Sequence, residues 1–407
     1  MHRMLVIPIL IFGLLLLMSC GGVKDMPDLP EITPAATDNA SIPENDDIIE
    51  KLNEMTLDEK IGQLVIVGFE GETIDSNTKE LIEKYHVGGV ILFKKNIKSV
   101  SQTAVLINSI KEVNYVNKLP IFVSVDEEGG RVSRMPEEFK KIPSSRDIGE
   151  KDDENYSYQI GSAIGNMIGH LGFNMNFAPV LDINSNPHNK VIDDRALGSE
   201  PDIVKRLGIS TMKGLQSKNI IPVIKHFPGH GDTAEDSHIG LPVINYDLDR
   251  LRNFEFIPFL EAIRHNADAV MIAHILMSKI DGDYPASMSH KVVSGILRDE
   301  MEFKGVVITD DLTMGAIEKN YDIGDAAVKS FNAGCDILLV CHGYEKELSV
   351  IRALKEAAEN GEIPLERIDE SVYRIIQLKN KYGLTDTKID DVNITGINEE
   401  IDKVTYQ

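Results

Sequence analysis

Eight short apolar runs recur along the chain, and they constrain its fold more than any other feature: QLVIVGF (63–69), VGGVILF (87–93), PIFVSVD (120–126), NMNFAPVLDI (174–183), IIPVIKH (220–226), AVMIAHI (269–275), GVVITDD (305–311) and CDILLVC (335–341). Runs this short and this apolar suit strands covered on both faces. Most are separated by helix-like segments, such as SVSQTAVLINSIKEVNYV (99–116), NYSYQIGSAIGNMIGHLG (155–172) and NFEFIPFLEAIRHN (253–266). Strand and helix in steady alternation imply parallel strands joined by crossovers. The expected fold is therefore α/β: a single (β/α)8 TIM-type barrel over residues 47–384, with irregular early strands, and an open doubly wound sheet as the alternative. Thr56 and Glu59 have capping-box spacing at the start of a short helix. A closing helix carries Ile368, Val372 and Ile375 at helical spacing and ends at Gly383, after which residues 385–407 read as a C-terminal tail.

In a parallel barrel the functional residues lie at the carboxyl ends of the strands. Those ends are polar here: Asp126, Asp182, Lys225 with His226, His274, and Asp310 with Asp311. One such residue is ordinarily a helix cap or a satisfied polar group of the core. Five strand ends converging on one rim point to a site.

The chain opens MHRMLVIPILIFGLLLLMSCGG, with His2 and Arg3, an apolar run from Met4 to Met18, and small residues around Cys20. That run is shorter than the ~20 residues of a membrane-spanning helix, so residues 1–19 read as a signal peptide. LMSC resembles the lipobox of bacterial lipoproteins, in which the cysteine is lipidated and becomes the mature N-terminus. Cys20 is accordingly the expected lipidation site, and residues 20–46, with four prolines and no periodic apolar face, a disordered tether. The protein is then exported and lipid-anchored to the outer side of the cell membrane. An ordinary secretory signal or an uncleaved anchor is the alternative.

A net charge of -23 repels phosphate backbones and argues against a nucleic-acid partner. Cys335 and Cys341 bracket an apparent strand and so lie too far apart for a disulfide. No Cys/His spacing of the zinc type occurs, and the acids of DEEGG (126–130) are weak evidence for a metal.

One loop concentrates chemistry. KHFPGHGDTAEDSHIGLP (225–242) holds His226, His230 and His238, the acids Asp232, Glu235 and Asp236, and Gly229, Gly231 and Gly240. Together with VDEEGGRVSRMP (125–136), NFAPVLDIN (176–184), VIDDRALG (191–198), AVMIAHI and GVVITDDLTMGAI (305–317), it resembles the family 3 glycoside hydrolases. Within that family the match is to the β-N-acetylglucosaminidase branch that acts on peptidoglycan fragments, over roughly residues 47–384.

The resemblance implies a cofactor-free enzyme that hydrolyses terminal β-linked N-acetylglucosamine from muropeptides or related oligosaccharides with retention; a monomer is expected, and the lack of metal-ligand spacing implies that it needs no metal. It makes Asp310 the nucleophile, a choice that strand alternation alone leaves open against Asp311, and leaves Asp311 as a helix cap or supporting partner. The Asp236–His238 pair replaces the carboxylic acid/base of most glycosidases, on a loop whose glycines let it swing over the sugar. Imidazole, with an ordinary pKa of ~6.5, can both donate and remove a proton near neutrality. By the same matching, Asp126, Arg131, Arg195, Lys225 and His226 hold the sugar, with Asp182 and His274 in support. For the two arginines, an ion pair with a neighbouring barrel acid is the plainer alternative. The rival functions are a phosphorylase of the same branch and a lipoprotein that binds cell-wall sugars without cleaving them.

Overall fold

The structure, a computed structural model, describes residues 46–233, 237 and 240–406. The leader, Cys20 and the tether up to residue 45 lie outside them, as do Asp236 and His238.

Each of the eight apolar runs supplies one barrel strand: β1 (Val65–Val67), β2 (Gly89–Leu92), β3 (Phe122–Val125), β4 (Met175–Asn176), β5 (Ile221–Phe227), β6 (Ala269–Ile272), β7 (Val306–Asp311) and β8 (Ile337–Val340). They pair in parallel in chain order, and β1 closes on β8 through Val65–Leu338, Ile66–Leu339 and Val67–Val340. That closure rules out the open sheet. The strands are buried on both faces because side chains fill the barrel on one side and helices cover the other.

Irregularity falls later than the early strands. β2 and β3 pair without a break from Gly89–Phe122 to Leu92–Val125. β4 is only two residues long, and asparagine side chains extend its pairing with β3. Asn174 accepts from the Val123 N–H at 2.8 Å and donates to the Ile121 carbonyl at 2.9 Å, while Asn176 brackets the backbone of Glu127 in the same way.

Thr56 and Glu59 form the expected capping box at helix Leu57–Gln63. The closing helix, Leu365–Lys381, buries Ile368, Val372 and Ile375, and Gly383 after it adopts a φ of +54°. Residues 385–407, read from sequence as a tail, carry a packed helix. Ile394–Thr405 buries Ile397, Ile401 and Val404 and lies against helix Glu154–His170, where Asn166 donates to Glu400 at 2.6 Å. Ahead of it, Asp386 accepts from the Ile121 N–H at 3.1 Å and from Asn114 at 2.7 Å, tying this segment to the amino end of β3. Among the described residues no helix is long and apolar enough to cross a membrane.

Candidate active site

Asp126, Arg131, Arg195, Lys225, His226 and Asp310 all line one cavity of about 400 Å³ at the carboxyl ends of the strands. Two strands deliver pairs of adjacent residues to it, which strict alternation forbids. Along β5, Val223 pairs with Ala269 and Ile224 with Val270, but the next pair is Phe227 with Ile272, so one extra residue is accommodated at Lys225–His226. The peptide between those two residues is cis. Along β7, Ile308 pairs with Ile337 and Asp311 with Leu339, a second slip that encloses Asp310. Bulges of this kind re-aim side chains near active sites.

A buried charged cluster occupies the β3–β5 side. The Lys225 ammonium, 2% exposed, lies 2.7 Å from both Asp126 Oδ1 and Glu128 Oε1. Arg195 forks onto both oxygens of Glu128, at 2.8 and 2.9 Å. Burial would raise the Glu128 carboxyl, but the charges of Arg195 and Lys225 outweigh it and hold Glu128 well below the usual carboxylate range. In the same way burial pulls Lys225 down while Asp126 and Glu128 more than restore it. Lys225, Glu128 and Arg195 are therefore held charged with little exposure to solvent, the condition under which hydrogen bonds to a ligand are strongest.

Glu128 was missed from sequence because DEEGG reads as a run of acids. Its signal was the period of two: Asp126 and Glu128 share a face, and Glu127 points away. Glu127 is wholly buried, accepts from the Arg134 N–H at 2.8 Å, and is pushed by burial up to about 7. Gly129 and Gly130, at φ +86° and +54°, turn the chain back so that the Glu128 N–H meets the Val132 carbonyl at 2.9 Å.

The two arginines of this loop differ. Arg131 donates to the carbonyls of Lys190, Val191 and Ile192 and pairs with Asp194, so its guanidinium is engaged in holding the facing loop. Arg134 also lines the cavity, and its Nε is buried with no hydrogen-bond partner among the described residues. Of the two, Arg134 has donor capacity left for a substrate, and sequence matching passed it over. Arg195 likewise makes the ion pair that was the plainer alternative, yet it reaches the cavity floor beside His226, to whose Nε2 it donates at 3.4 Å.

Asp182 is fully buried and joins this cluster to the long loop. It accepts from His226 Nδ1 at 2.6 Å and from the backbone N–H groups of His226 and His230 at 3.3 and 2.6 Å. Burial would raise its carboxyl, but His226 and His230 hold it below the ordinary value. An ionised Asp182 can only accept, so His226 Nδ1 donates and Nε2 is the nitrogen left toward Arg195 and the cavity. His230, also missed, lines the cavity between the hydroxyls of Thr233 (2.7 Å) and Ser237 (3.2 Å). Burial lowers its pKa, with His226 adding to the effect.

At β7 the neighbouring acids separate by their partners. Asp311 accepts from the N–H groups of Thr313 and Cys341 at 2.9 and 3.0 Å and from the Thr313 hydroxyl at 2.6 Å. Its carboxylate is thereby engaged with the backbone and the Thr313 hydroxyl. Asp310 accepts from the Asp311 N–H at 2.8 Å and lines the cavity. His274, with no exposed surface, donates from Nε2 to the Asp311 carbonyl at 3.0 Å and accepts at Nδ1 from Ser287 at 2.7 Å, bracing the end of β7 from behind.

Asp236 and His238 fall outside the described residues, but Ser237 between them does not. Ser237 is buried, lines the cavity, and its carbonyl accepts from the Ala316 N–H at 3.0 Å, just past β7. Among the described residues no group of three or more His, Cys, Asp or Glu is placed to hold a metal ion. Cys335 and Cys341 are buried free thiols.

Residues 56–378 match the family described as glycosyl hydrolase family 3 N terminal domain. A beta-hexosaminidase A of Pseudoalteromonas piscicida is 34% identical over 347 residues, which are 79% of this chain and 58% of that protein. The chain thus spans little more than half the length of that relative. A beta-hexosaminidase of Thioalkalivibrio sulfidiphilus is 33% identical over 335 residues, 80% of this chain and 92% of that one. Among solved structures, a glycoside hydrolase family 3 beta-N-acetylglucosaminidase from Paenibacillus sp. str. FPU-7 superposes with a TM-score of 0.82 at 39% identity, covering 86% of this chain and 68% of that one. With its closed eightfold barrel and strand-end cavity, the chain belongs to glycosyl hydrolase family 3 and is a glycoside hydrolase.

Proposed function

We propose that the chain is a retaining β-N-acetylhexosaminidase that removes terminal β-linked N-acetylglucosamine from cell-wall muropeptides or related oligosaccharides through a covalent ester on Asp310. β-Hexosaminidase activity is supported by the names of relatives 34% and 33% identical. The observation that carries the finer reading is one cavity with Asp310 on its β7 side and the ion-paired Asp126–Lys225–Glu128–Arg195 cluster, with Lys225 and Glu128 buried, on its β3–β5 side. Lys225 has three N–H donors and uses two on carboxylates, which leaves one for a sugar hydroxyl. Arg134 and His226 Nε2 add directed polar groups, and Asp126 can accept from a hydroxyl. A sugar held there presents its anomeric carbon toward β7.

In the first step the Asp310 carboxylate attacks that carbon while His238 gives its proton to the departing glycosidic oxygen. In the second, His238 takes a proton from water, which attacks the same carbon and frees Asp310. Asp236 orients the imidazole and favours its protonated form.

The substrate class is tested by comparing an aryl β-N-acetylglucosaminide with the matching β-glucoside. A preference for the aminosugar on the order of 10²-fold or more in kcat/KM is expected. Equal or better efficiency on the glucoside overturns the reading. Release should proceed without phosphate; cleavage that requires phosphate and yields the sugar only as its 1-phosphate would identify a phosphorylase instead.

We infer from LMSC and the proline-rich segment after it that the enzyme is lipidated at Cys20 and works outside the cytoplasm. Cys20→Ala should abolish labelling by a fatty-acid probe and release the protein from the membrane fraction. Undiminished labelling in that variant contradicts the assignment.

A further inference from the structure

The cavity has two chemically distinct halves. Its deep half is the charged cluster, with Lys225, Glu128 and His226 all buried. Its edge also carries Phe93, which follows β2, and His342, which follows β8. Their rings stack with centroids 5.2 Å apart and 28° between planes. β1 lies between those two strands, and Gly68, just after it, lets the Cys341 backbone pass close by. A Cβ on Gly68 would fall 2.1 Å from the Cys341 carbonyl oxygen. The pair is not core packing, since the His342 side chain remains 48% exposed. Polar groups flank it: the Lys95 ammonium lies 3.3 Å from His342 Nδ1 and over the Phe93 ring, and Asp311 lies 4.0 Å from His342 Nε2.

We propose that Phe93 and His342 form the platform on which the leaving-group sugar stacks, an inference that rests on the hydrolase reading above. Groups that hold the first sugar sit on β3–β5, and the nucleophile sits on β7, so the anomeric carbon faces β7. Whatever is attached to that carbon extends over the β7–β8–β1–β2 side, where the aromatic pair lies. A pyranose has apolar C–H faces and a polar equatorial rim. A flat aromatic surface flanked by an ammonium and a carboxylate complements both at once. The occupant is thus a second sugar ring rather than a peptide or a simple alcohol.

The test compares kcat/KM for the β-1,4-linked N-acetylglucosamine disaccharide with that for N-acetyl-β-glucosaminyl fluoride, whose leaving group has no ring. In Phe93→Ala the ratio of disaccharide to fluoride should fall about tenfold, chiefly through KM, and in Phe93→Tyr it should return to within about twofold of the unmutated enzyme. His342→Ala, at a half-exposed position, should lower the same ratio independently of any folding defect at Phe93. If the unmutated enzyme cleaves both substrates and the ratio is unmoved in Phe93→Ala and His342→Ala, the platform is overturned while the hydrolase reading stands. If it cleaves neither, the hydrolase reading fails and the platform falls with it.

Discussion

Asp310→Ala should lower kcat/KM for an aryl β-N-acetylglucosaminide by on the order of 10⁴-fold or more, with the loss in kcat. Four carboxylates line the cavity among the described residues: Asp126, Glu128, Asp310 and Asp311. Asp126 and Glu128 are paired with Lys225 and Arg195, and Asp311 is bonded to the N–H groups of Thr313 and Cys341. Asp126 and Glu128 are thus committed to the cations that would hold the sugar, and Asp311 to the backbone beyond β7. Asp310 is the one delivered by the slip in β7 register. Its loss removes the group that accepts the glycosyl unit and leaves sugar binding on β3–β5 in place, so KM should change far less than kcat. A comparable fall in binding with kcat preserved would mean that Asp310 only holds the sugar.

The second large effect is selective. His238→Ala should cost on the order of 10²- to 10³-fold with alkyl or sugar leaving groups and far less in the first step with a dinitrophenyl group, which departs without a proton. With the activated substrate the slow step becomes hydrolysis of the ester, seen as a burst of phenol followed by a low steady rate. The same inventory of carboxylates supports this. With Asp126, Glu128 and Asp311 engaged and Asp310 acting as nucleophile, proton transfer falls to a group from outside the strand ends. Ser237, the residue before His238, is anchored at the cavity edge by Ala316 and His230. Equal losses on good and poor leaving groups would remove His238 from the proton-transfer role.

The barrel was legible because its strands are continuous apolar runs, a pattern that no half-exposed sheet produces. Residues at the strand ends were legible for the same reason: polar side chains directly after such runs have few places to go except the rim. What sequence could not supply was register. That Lys225 and His226 both reach the cavity, and that Asp310 and Asp311 both do, depends on bulges set by neighbouring strands far away in the chain. Glu128 and Arg134 escaped notice because their value lies in partners, or in lacking one: Glu128 binds two cations, and Arg134 Nε has no acceptor among the described residues. The helix Ile394–Thr405 was passed over although Ile397, Ile401 and Val404 stand at helical spacing, because a short segment after an apparent closing helix reads as an end.

The central claim is a covalent intermediate on Asp310, and it has a real chemical competitor. The 2-acetamido oxygen of the substrate can itself attack the anomeric carbon, giving an oxazoline with no bond to the protein. That route needs one carboxylate to orient the acetamide and another to donate the proton, and the adjacent Asp310 and Asp311 invite it. The engagement of Asp311 with backbone argues against it. Incubation with a slow 5-fluoro N-acetylglucosaminyl donor, followed by proteolysis and mass spectrometry, decides between them. A glycosylated peptide with the sugar on Asp310 is the predicted result; an oxazoline with unmodified protein, or a label on Asp311, would contradict it.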